Sequence, residues 1–397
     1  MKTDRDRRVV RAENEQLLLS GLDLVGRVLG KDPKEERRLL ELDPGFDPRD
    51  TFLVVLGGAV ISHLRLVRRE MRIGRSLLRL AVVADVVTDP AHQGRGNART
   101  AIDIALEAAR AARYHCAVLF TELPDFFSEQ GWSPWAQPGC SITPKALVIP
   151  AAQQRVRDFR PGDLSAVMAL HGHHGSAFAG PLARTIGWWK ADLQRETPPG
   201  EVLILEVDGR IAGYARARAR RRRPEEFAIL DLAALDDSGQ RSLLRELVRR
   251  AHQRGFTSVN LQGPTAGRLA AIDPELGRMT ELRRDKYTML KLINLRGLVR
   301  ALIPEFEAIC GRDGSCGDGQ ISLLVGHLAA ELSSSTGKFE ISAPRSNKPS
   351  FLQLSEGDFW RMLFDGRVPP TAPAPAAAML GMLFPEREFA FWPADEP

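Results

Sequence analysis

The stretch from residue 85 to residue 98 limits what this chain can fold into more than any other part of the sequence. An apolar run at residues 78–87 predicts a buried strand, and an alanine-rich amphipathic segment at residues 98–113 predicts a helix. Gly94 and Gly96 lie between the two, where glycine lets the backbone come close to a ligand. Free N–H groups at a helix start, with the positive end of the helix dipole, form a site for a phosphate anion. The stretch therefore predicts a strand, a pyrophosphate-binding loop and a helix.

Two motifs in this region resemble the acetyl-CoA-binding core of the GNAT N-acetyltransferase superfamily. Gln93-x-x-Gly96-x-Ala98 is similar to the coenzyme loop, although a tight turn without a ligand is the alternative for that loop alone. A second apolar strand at residues 116–121 and the stretch at residues 123–132 resemble the strand and FYxxxGF motif that follow the coenzyme helix. The resemblance implies acetyl-CoA as co-substrate. The cofactor-binding residues that it implies are Val86, Val87, Thr88, Gln93, Gly94, Arg95, Gly96, Asn97 and Ala98.

The chain contains a diverged internal repeat. Residues 55–60, followed by a basic strand, recur as residues 207–212, again followed by a basic strand, and both patterns predict antiparallel hairpins. In the second copy, residues 236–241 stand where the coenzyme loop would lie, and they lack the Gln-x-x-Gly-x-Ala order. Asp236 and Asp237 place two carboxylates where a pyrophosphate would sit, so we expect the second copy to bind no coenzyme A.

From about residue 292 the pattern changes again. Leu352-x-Leu354, a helix-like segment at residues 358–364 and Gly366 resemble a sterol-carrier-protein type domain. The resemblances imply a mixed α/β or α+β protein with two tandem GNAT folds, the second degenerate, followed by a sterol-carrier-protein-like α+β domain. The predicted domains are residues 1–150, which bind acetyl-CoA, residues 151–292, which form the degenerate copy, and residues 293–397 with the C-terminal tail.

This domain order and the ending at residues 384–395 resemble the "enhanced intracellular survival" (Eis) acetyltransferase family. The resemblance implies an acetyl-CoA-dependent N-acetyltransferase that transfers the acetyl group directly to an amine of a small molecule or peptide. It also implies a homo-oligomer, a hexamer. In that family the C-terminal carboxylate acts as general base and a tyrosine as general acid. Here the carboxylate belongs to Pro397, and Trp132 stands at the position of the acid.

The departures from the family pattern leave a second function open. Residues 130–133, Gln-Gly-Trp-Ser, replace the family's Phe-Gly-Tyr-Gly, and Phe127 replaces the tyrosine that the wider superfamily uses. An indole N–H donates a hydrogen bond but does not deliver a proton at neutral pH. The alternative is a catalytically weakened or inactive GNAT homologue that acts as a binding or assembly protein.

Three carboxylates are candidate general bases: Asp85, Glu122 and the terminal carboxylate of Pro397. Asp85 lies next to the coenzyme motif, and the alternative for it is a polar residue at a strand irregularity. The histidines at positions 171, 173 and 174 stand in a glycine-rich segment, which favours an exposed loop over a metal site.

Composition adds limits. A hydrophobic content of 44% and a charged content of 26% are typical of a globular protein, and a net charge of +5 does not imply nucleic acid. The arginines at residues 216–223 are interpreted as a solvated hairpin tip. No apolar run reaches the ~18 residues of a membrane helix, and the charged N-terminus shows no signal peptide. Cys310 and Cys316 lack two further zinc ligands, so no metal is expected. Without a signal peptide or a membrane helix, a cytoplasmic location is expected, and with it free thiols.

Overall fold

The computed structural model describes residues 6–144, 155–195, 201–220, 223–283, 287–313, 318–344 and 351–395. Its first part is built from strands and helices with clear local stop signals: the first helix starts at Asn14, whose side chain accepts the Leu17 N–H, and ends at Gly30 in the left-handed conformation. The elements are β1 Arg8–Arg11, α1 Glu15–Leu29, α2 Pro33–Leu42, β2 Thr51–Leu56, β3 Ala59–Ile73, β4 Ser76–Thr88, α3 Asn97–Ala111, β5 Cys116–Thr121, α4 Pro124–Ser128 and β6 Ser133–Trp135.

The middle part repeats this order of strands and helices. Its long helix begins after Asp236, whose side chain accepts a backbone N–H of the first turn. The elements are β7 Gly139–Ile142, β8 Arg155–Asp158, α5 Leu164–Gly175, β9 Ala179–Leu182, α6 Ile186–Arg195, β10 Glu201–Val207, β11 Arg210–Arg220, β12 Arg223–Ala234, α7 Asp237–Gln253, β13 Ser258–Gln262, α8 Pro264–Gly267, α9 Leu269–Ile272, α10 Pro274–Gly277, β14 Thr280–Leu282 and β15 Tyr287–Leu292.

The last part is a smaller α+β unit followed by a tail. Gly366 closes the helix Glu356–Asp365 in the left-handed conformation, as the sequence predicts. The elements are α11 Leu295–Ala301, α12 Ile303–Asp313, β16 Gly319–Val325, β17 Leu328–Ser335, β18 Lys338–Ser342, β19 Phe351–Leu354, α13 Glu356–Asp365, α14 Ala374–Leu383 and a short 3-10 helix, Pro393–Asp395.

These elements form three sheets. The first copy is the sheet β1-β2-β3-β4-β5-β15-β6, to which β9 adds by pairing with β3, and its helices α1–α4. The second copy is the sheet β14-β7-β13-β12-β11-β10-β8 with α5–α10. The C-terminal unit is the sheet β18-β17-β16-β19 with α11–α14. The expected fold class, a mixed α/β protein with two GNAT-like copies and a further domain, is confirmed.

Besides β9, which belongs to the middle part and pairs with β3, two strands cross the boundaries that the sequence predicts at residues 150 and 292. β7, which follows β6 in the chain, pairs with β13 in the second copy. β15, which ends the middle part, lies between β5 and β6 in the first copy. The side chains of Met289 and Leu290 are buried on opposite faces of β15, as a strand inside a sheet requires. The two copies therefore exchange strands, and neither sheet is built from one continuous segment.

Three local expectations are wrong. His171 lies on helix α5 and is buried, because its Nδ1 bonds the Tyr214 hydroxyl inside the second copy rather than facing water. Arg216 is not at a solvated tip; it is fully buried and ion-paired. Cys310 is disulfide-bonded rather than free. Cys116 and Cys140 are free and buried, and Cys316 lies outside the described residues.

Candidate functional site

Strands β4 and β5 separate part-way along their length. They pair in parallel from Leu80 with Cys116 to Val82 with Val118, and no pairing continues beyond that point in the described sheet. The gap begins beside Val83 and lies at the carboxyl ends of both strands. Backbone N–H and C=O groups that face such a gap can pair with an extended ligand instead of a strand.

The loop after β4 presents an open helix N-terminus. Gly96 is the N-cap of α3 in the left-handed conformation, with φ 74, and no side chain caps this end of the helix. A Cβ atom added at Gly94 or Gly96 would meet nothing within 4 Å, so the space beside both glycines is open. The first backbone N–H groups of α3 face that space. The geometry therefore fits a phosphate anion at the start of α3.

Side chains within the loop hold its shape. Asn97 is buried, and its Nδ2 donates to the His92 carbonyl at 2.8 Å. Gln93 Nε2 donates to the Thr88 carbonyl at 3.1 Å. Two of the predicted cofactor-binding side chains, Gln93 and Asn97, thus bond the protein's own backbone. At this site the loop's backbone N–H groups and the exposed Arg95 are the groups left to face a ligand.

A β-bulge at Asp85 turns the end of β4. Asp85 has φ 51, and the register with β3 shifts there, so Asp85 and Val86 have no partner in that register. The extra residue places Val83 in the cluster with α3 and Val87 in the cluster with α1, on opposite faces of the sheet. The side chains of Val87 and Thr88 are engaged, Thr88 with the Ser62 hydroxyl at 2.9 Å. These contacts leave the backbone of Val87 and Thr88 to contact a coenzyme chain.

The Asp85 carboxylate lies between two cations. Lys31 Nζ is 2.8 Å from Oδ1, and Arg65 Nη2 is 3.2 Å from Oδ2. Burial alone would raise the pKa of Asp85, but the charges of Arg65 and Lys31 outweigh it and hold the pKa well below the usual range of an aspartate. The backbone carbonyl of Asp85 is hydrogen-bonded to His63 Nδ1 at 2.9 Å, and burial lowers the pKa of His63. Asp85 is therefore a weak proton acceptor and a strong anchor for the bulge.

The other predicted catalytic positions differ in what they offer. Trp132 is buried against Phe127, with ring centroids 6.1 Å apart, and its Nε1–H has no acceptor among the described residues. Glu122 is exposed directly after β5. Pro397 and its terminal carboxylate lie outside the described residues.

The helix of the second copy that corresponds to α3 is closed. The Asp236 carboxylate accepts the Gly239 N–H at 2.7 Å and so occupies the N-terminus of α7 with the protein's own anion. A Cβ at Gly239, in the first turn of α7, would lie 2.8 Å from the Leu205 side chain, so this glycine is packed against β10. This geometry supports the expectation that a coenzyme binds to the first copy alone.

Sequence reasoning missed a charge arrangement that both copies share. Arg65 and Arg216 stand equally far from the turns of the β2–β3 and β10–β11 hairpins, and each pairs with an aspartate at a register shift of the next strand. Those aspartates, Asp85 and Asp231, are likewise equivalent in the register of their strands. The signal was present as one arginine at the same place in each repeat. It was hidden within the basic strands.

The tail packs where the three units meet. Phe389, Phe391 and Trp392 are buried, and Ala390 donates its N–H to the Ala179 carbonyl at 2.8 Å. Phe391 lies 4.9 Å, between ring centroids, from Phe120 on β5. The tail thus reaches the strand that borders the gap of the first copy.

No group of three or more His, Cys, Asp and Glu side chains in the described ranges is placed to hold a metal ion. None of the helices described is both long and apolar enough to cross a bilayer.

The fold and the open loop agree with comparisons to known proteins. Residues 10–135 match the acetyltransferase (GNAT) domain family. No curated protein matches the sequence significantly. Three solved structures share the fold over nearly the whole chain. A GCN5-related N-acetyltransferase from Anabaena variabilis is 14% identical with a TM-score of 0.72, and the match covers 97% of this chain and 100% of that chain. A conserved protein of unknown function from Enterococcus faecalis, named as a probable N-acyltransferase, is 13% identical with a TM-score of 0.73, and the match covers 97% of this chain and 99% of that chain. Eis1 from Mycobacterium abscessus is 15% identical with a TM-score of 0.63, and the match covers 97% of this chain and 98% of that chain.

Proposed function

We propose that this protein is an acetyl-CoA-dependent N-acetyltransferase that acts on an amine group of a small molecule or peptide, with the coenzyme bound by the first copy alone. One observation carries the proposal: the open N-terminus of α3 beside the gap between β4 and β5, set against the closed N-terminus of α7 in the second copy. The GNAT match at residues 10–135 supports the class of reaction.

In this proposal the coenzyme pyrophosphate lies at the start of α3, and its chain runs along the bulged end of β4 into the gap. The bulged backbone at residues 85–86 has no partner in the β3 register and can polarise the acetyl carbonyl. The amine attacks that carbonyl, and the coenzyme leaves as a thiolate. A thiol has a pKa near ~8.5, so the leaving group needs little help from an acid. Transfer therefore does not depend on a tyrosine at the position of Trp132.

The ion pairs of Asp85 hold it ionised and weakly basic, so the base in this proposal is one of the other two candidates, the terminal carboxylate of Pro397, as the family resemblance implies, or Glu122. We also propose a homo-oligomer, a hexamer as the family resemblance implies, which light scattering on the pure protein tests. The C-terminal unit is proposed to be the sterol-carrier-protein-like domain of that family.

The test is calorimetric titration of acetyl-CoA into Gly96→Asp and into Gly209→Asp. Both glycines have a positive φ, 74 and 75, and open space around a Cβ, so the two substitutions impose the same backbone strain. We expect Gly96→Asp to abolish binding, because it adds bulk and negative charge at the phosphate site, and Gly209→Asp to leave it unchanged. Equal loss in both variants would contradict the assignment.

Turnover is then measured as thiol release and acetylated product with a panel of amines. Release that requires an amine supports the transferase. Tight binding of acetyl-CoA with no turnover on any amine would favour the alternative, an inactive homologue that binds the coenzyme.

A further inference from the structure

The C-terminal tail occupies the cleft of the second copy. Strands β12 and β13 pair only from Glu226 with Ser258 to Ala228 with Asn260 and then separate, as β4 and β5 do in the first copy. The 3-10 helix Pro393–Asp395 packs against β12. A Cβ on Gly263, directly after β13, would lie 3.4 Å from the ring of Trp392. The tail therefore lies where the gap between β12 and β13 opens.

A buried chain of charges holds the tail there. Arg184 Nε donates to Asp395 Oδ1 at 2.7 Å, and Arg184 Nη1 donates to Asp231 on β12. The side chains of all three residues are at most 1% exposed. The Arg184 guanidinium also lies over Trp188 and Trp189, 4.5 Å and 4.9 Å from the ring centroids. A charge removed from water this completely must be paired, and Arg184 is paired with both carboxylates.

This chain of charges corresponds to the ion pairs of Asp85 with Lys31 and Arg65 in the first copy, which we call the Asp85 clamp. In the first copy, Lys31 and Arg65 hold the bulge aspartate. In the second copy, Arg184 and Arg216 hold Asp231. In the first copy, Lys31 also binds Glu36 of α2, 3.2 Å away, whereas in the second copy the further carboxylate, on Arg184, comes from the tail.

The other end of the same tail segment contacts the first copy. Phe391 packs on Phe120, which lies on β5 beyond Val118, the last residue of β5 that pairs with β4. Its backbone N–H is fixed by Gln137 Oε1 at 2.9 Å. The segment between Phe391 and Asp395 is short, so the position of one end constrains the other.

We propose that the cleft of the second copy is a receptor for the chain's own C-terminal segment, and that Asp395 is a positioning residue that holds Phe391 against Phe120 at the gap of the first copy, the side that we assign to the amine. The catalytic part of this inference rests on the proposed function. The docking part does not.

The experiment compares Asp395→Asn with Glu388→Gln in the full chain. Both variants remove one negative charge from the tail, but Glu388 is exposed. Hydrogen exchange is followed on peptides covering residues 388–395 and 78–88, together with acetyl-CoA affinity by calorimetry and the kcat and KM for an amine that wild type accepts. We expect faster exchange at residues 388–395 only in Asp395→Asn, and an increase in amine KM on the order of 10- to 100-fold. The acetyl-CoA affinity should stay within about twofold of wild type, because the coenzyme site does not include the tail.

Arg184→Lys keeps the positive charge but replaces the guanidinium that donates to both carboxylates with a single ammonium. It therefore tests the same attachment of the tail if Asp395→Asn does not fold. Unchanged exchange at residues 388–395 in the folded variants would overturn the receptor. Faster exchange with an unchanged amine KM would overturn the positioning role. A wild type that binds no acetyl-CoA defeats the proposed function while the exchange comparison still decides the docking.

Discussion

At the scale of single residues, Asp85 shows how a polar residue beside a coenzyme motif can serve the fold rather than the chemistry. Its carboxylate has two cationic partners, and its backbone carbonyl is bonded to His63. A left-handed backbone at an aspartate costs about 1–3 kcal/mol and persists only when its surroundings fix it. We infer that these ion pairs keep the bulge at the end of β4, where residues 85 and 86 have no partner in the β3 register.

We predict that Asp85→Asn destabilises the protein by about 3 kcal/mol near neutral pH, because it leaves Lys31 and Arg65 facing a neutral amide. The folded-state pKa of Asp85 is lowered, so its contribution is complete above the ordinary aspartate pKa of ~4 and is lost as the pH falls below it. In urea unfolding, the difference in free energy of unfolding between wild type and variant should be smaller at pH 3 than at pH 7. Asp103→Asn, on the exposed side of α3, is the control. A difference in free energy of unfolding that does not change with pH would refute the stabilising role of the ion pairs of Asp85.

At the scale of elements, the local parts of the site follow from the sequence and the long-range parts do not. The apolar run of β4, the two glycines and the alanine-rich α3 are local patterns, and the structure has all three where they were predicted. The bulge at Asp85 depends on register with β3 and on Lys31 from another element, so no local pattern shows it. The end of helix α5, which holds the three histidines, was predicted as a loop because of its glycines, whereas His171 lies on the helix and is buried against Tyr214.

Strand exchange is hidden for the same reason. The apolar alternation of β15 predicts a strand but not its partners, which lie far back in the chain on β5 and β6. Pairing across such a separation is decided by the packing of the whole core. The order of β7 and β15 in their sheets could therefore be found only in the structure.

His115 joins the elements around β5, and its protonation should control stability in acid. Its Nδ1 accepts the Arg79 N–H at 3.0 Å, and its carbonyl accepts the N–H groups of Ile293 and Asn294 after β15. Burial and the Arg79 charge lower the pKa of His115 to about 4. Since the unfolded pKa is ~6.5, the contribution of the neutral imidazole is complete above pH ~6.5 and is lost as the pH falls toward 4.

We predict that His115→Gln is less sensitive to acid than wild type. The loss of stability between pH 7 and pH 4 should shrink by about 2–3 kcal/mol, as measured by urea unfolding at pH 7, 5.5 and 4. His327→Gln is the matched control, because His327 is exposed at the turn between β16 and β17. Parallel pH curves for His115→Gln and wild type would show that another group is responsible.

At the scale of the whole molecule, no unit is built to stand alone. Each copy contains a strand from the other's segment, and the largest apolar cluster joins Val82 of the first copy, Leu323 of the C-terminal unit and Phe391 of the tail. Removing one unit would expose part of a shared core. The chain should therefore unfold as a single cooperative unit although it has the length of two or three domains.

We predict one calorimetric unfolding transition, and acetyl-CoA should move all of it. A ligand at 100 times its Kd stabilises the state that binds it by about 2.7 kcal/mol, and here that state is the whole exchanged assembly although the site lies in the first copy. Met289→Ala should reduce the free energy of unfolding by about 2–4 kcal/mol and move the same single transition to a lower temperature, because Met289 of β15 is fully buried in the first copy. Leu282→Ala, at a side chain 97% exposed on the neighbouring strand β14, should leave it in place. Two transitions, of which acetyl-CoA and Met289→Ala move only one, would show that the copies unfold independently despite their exchanged strands.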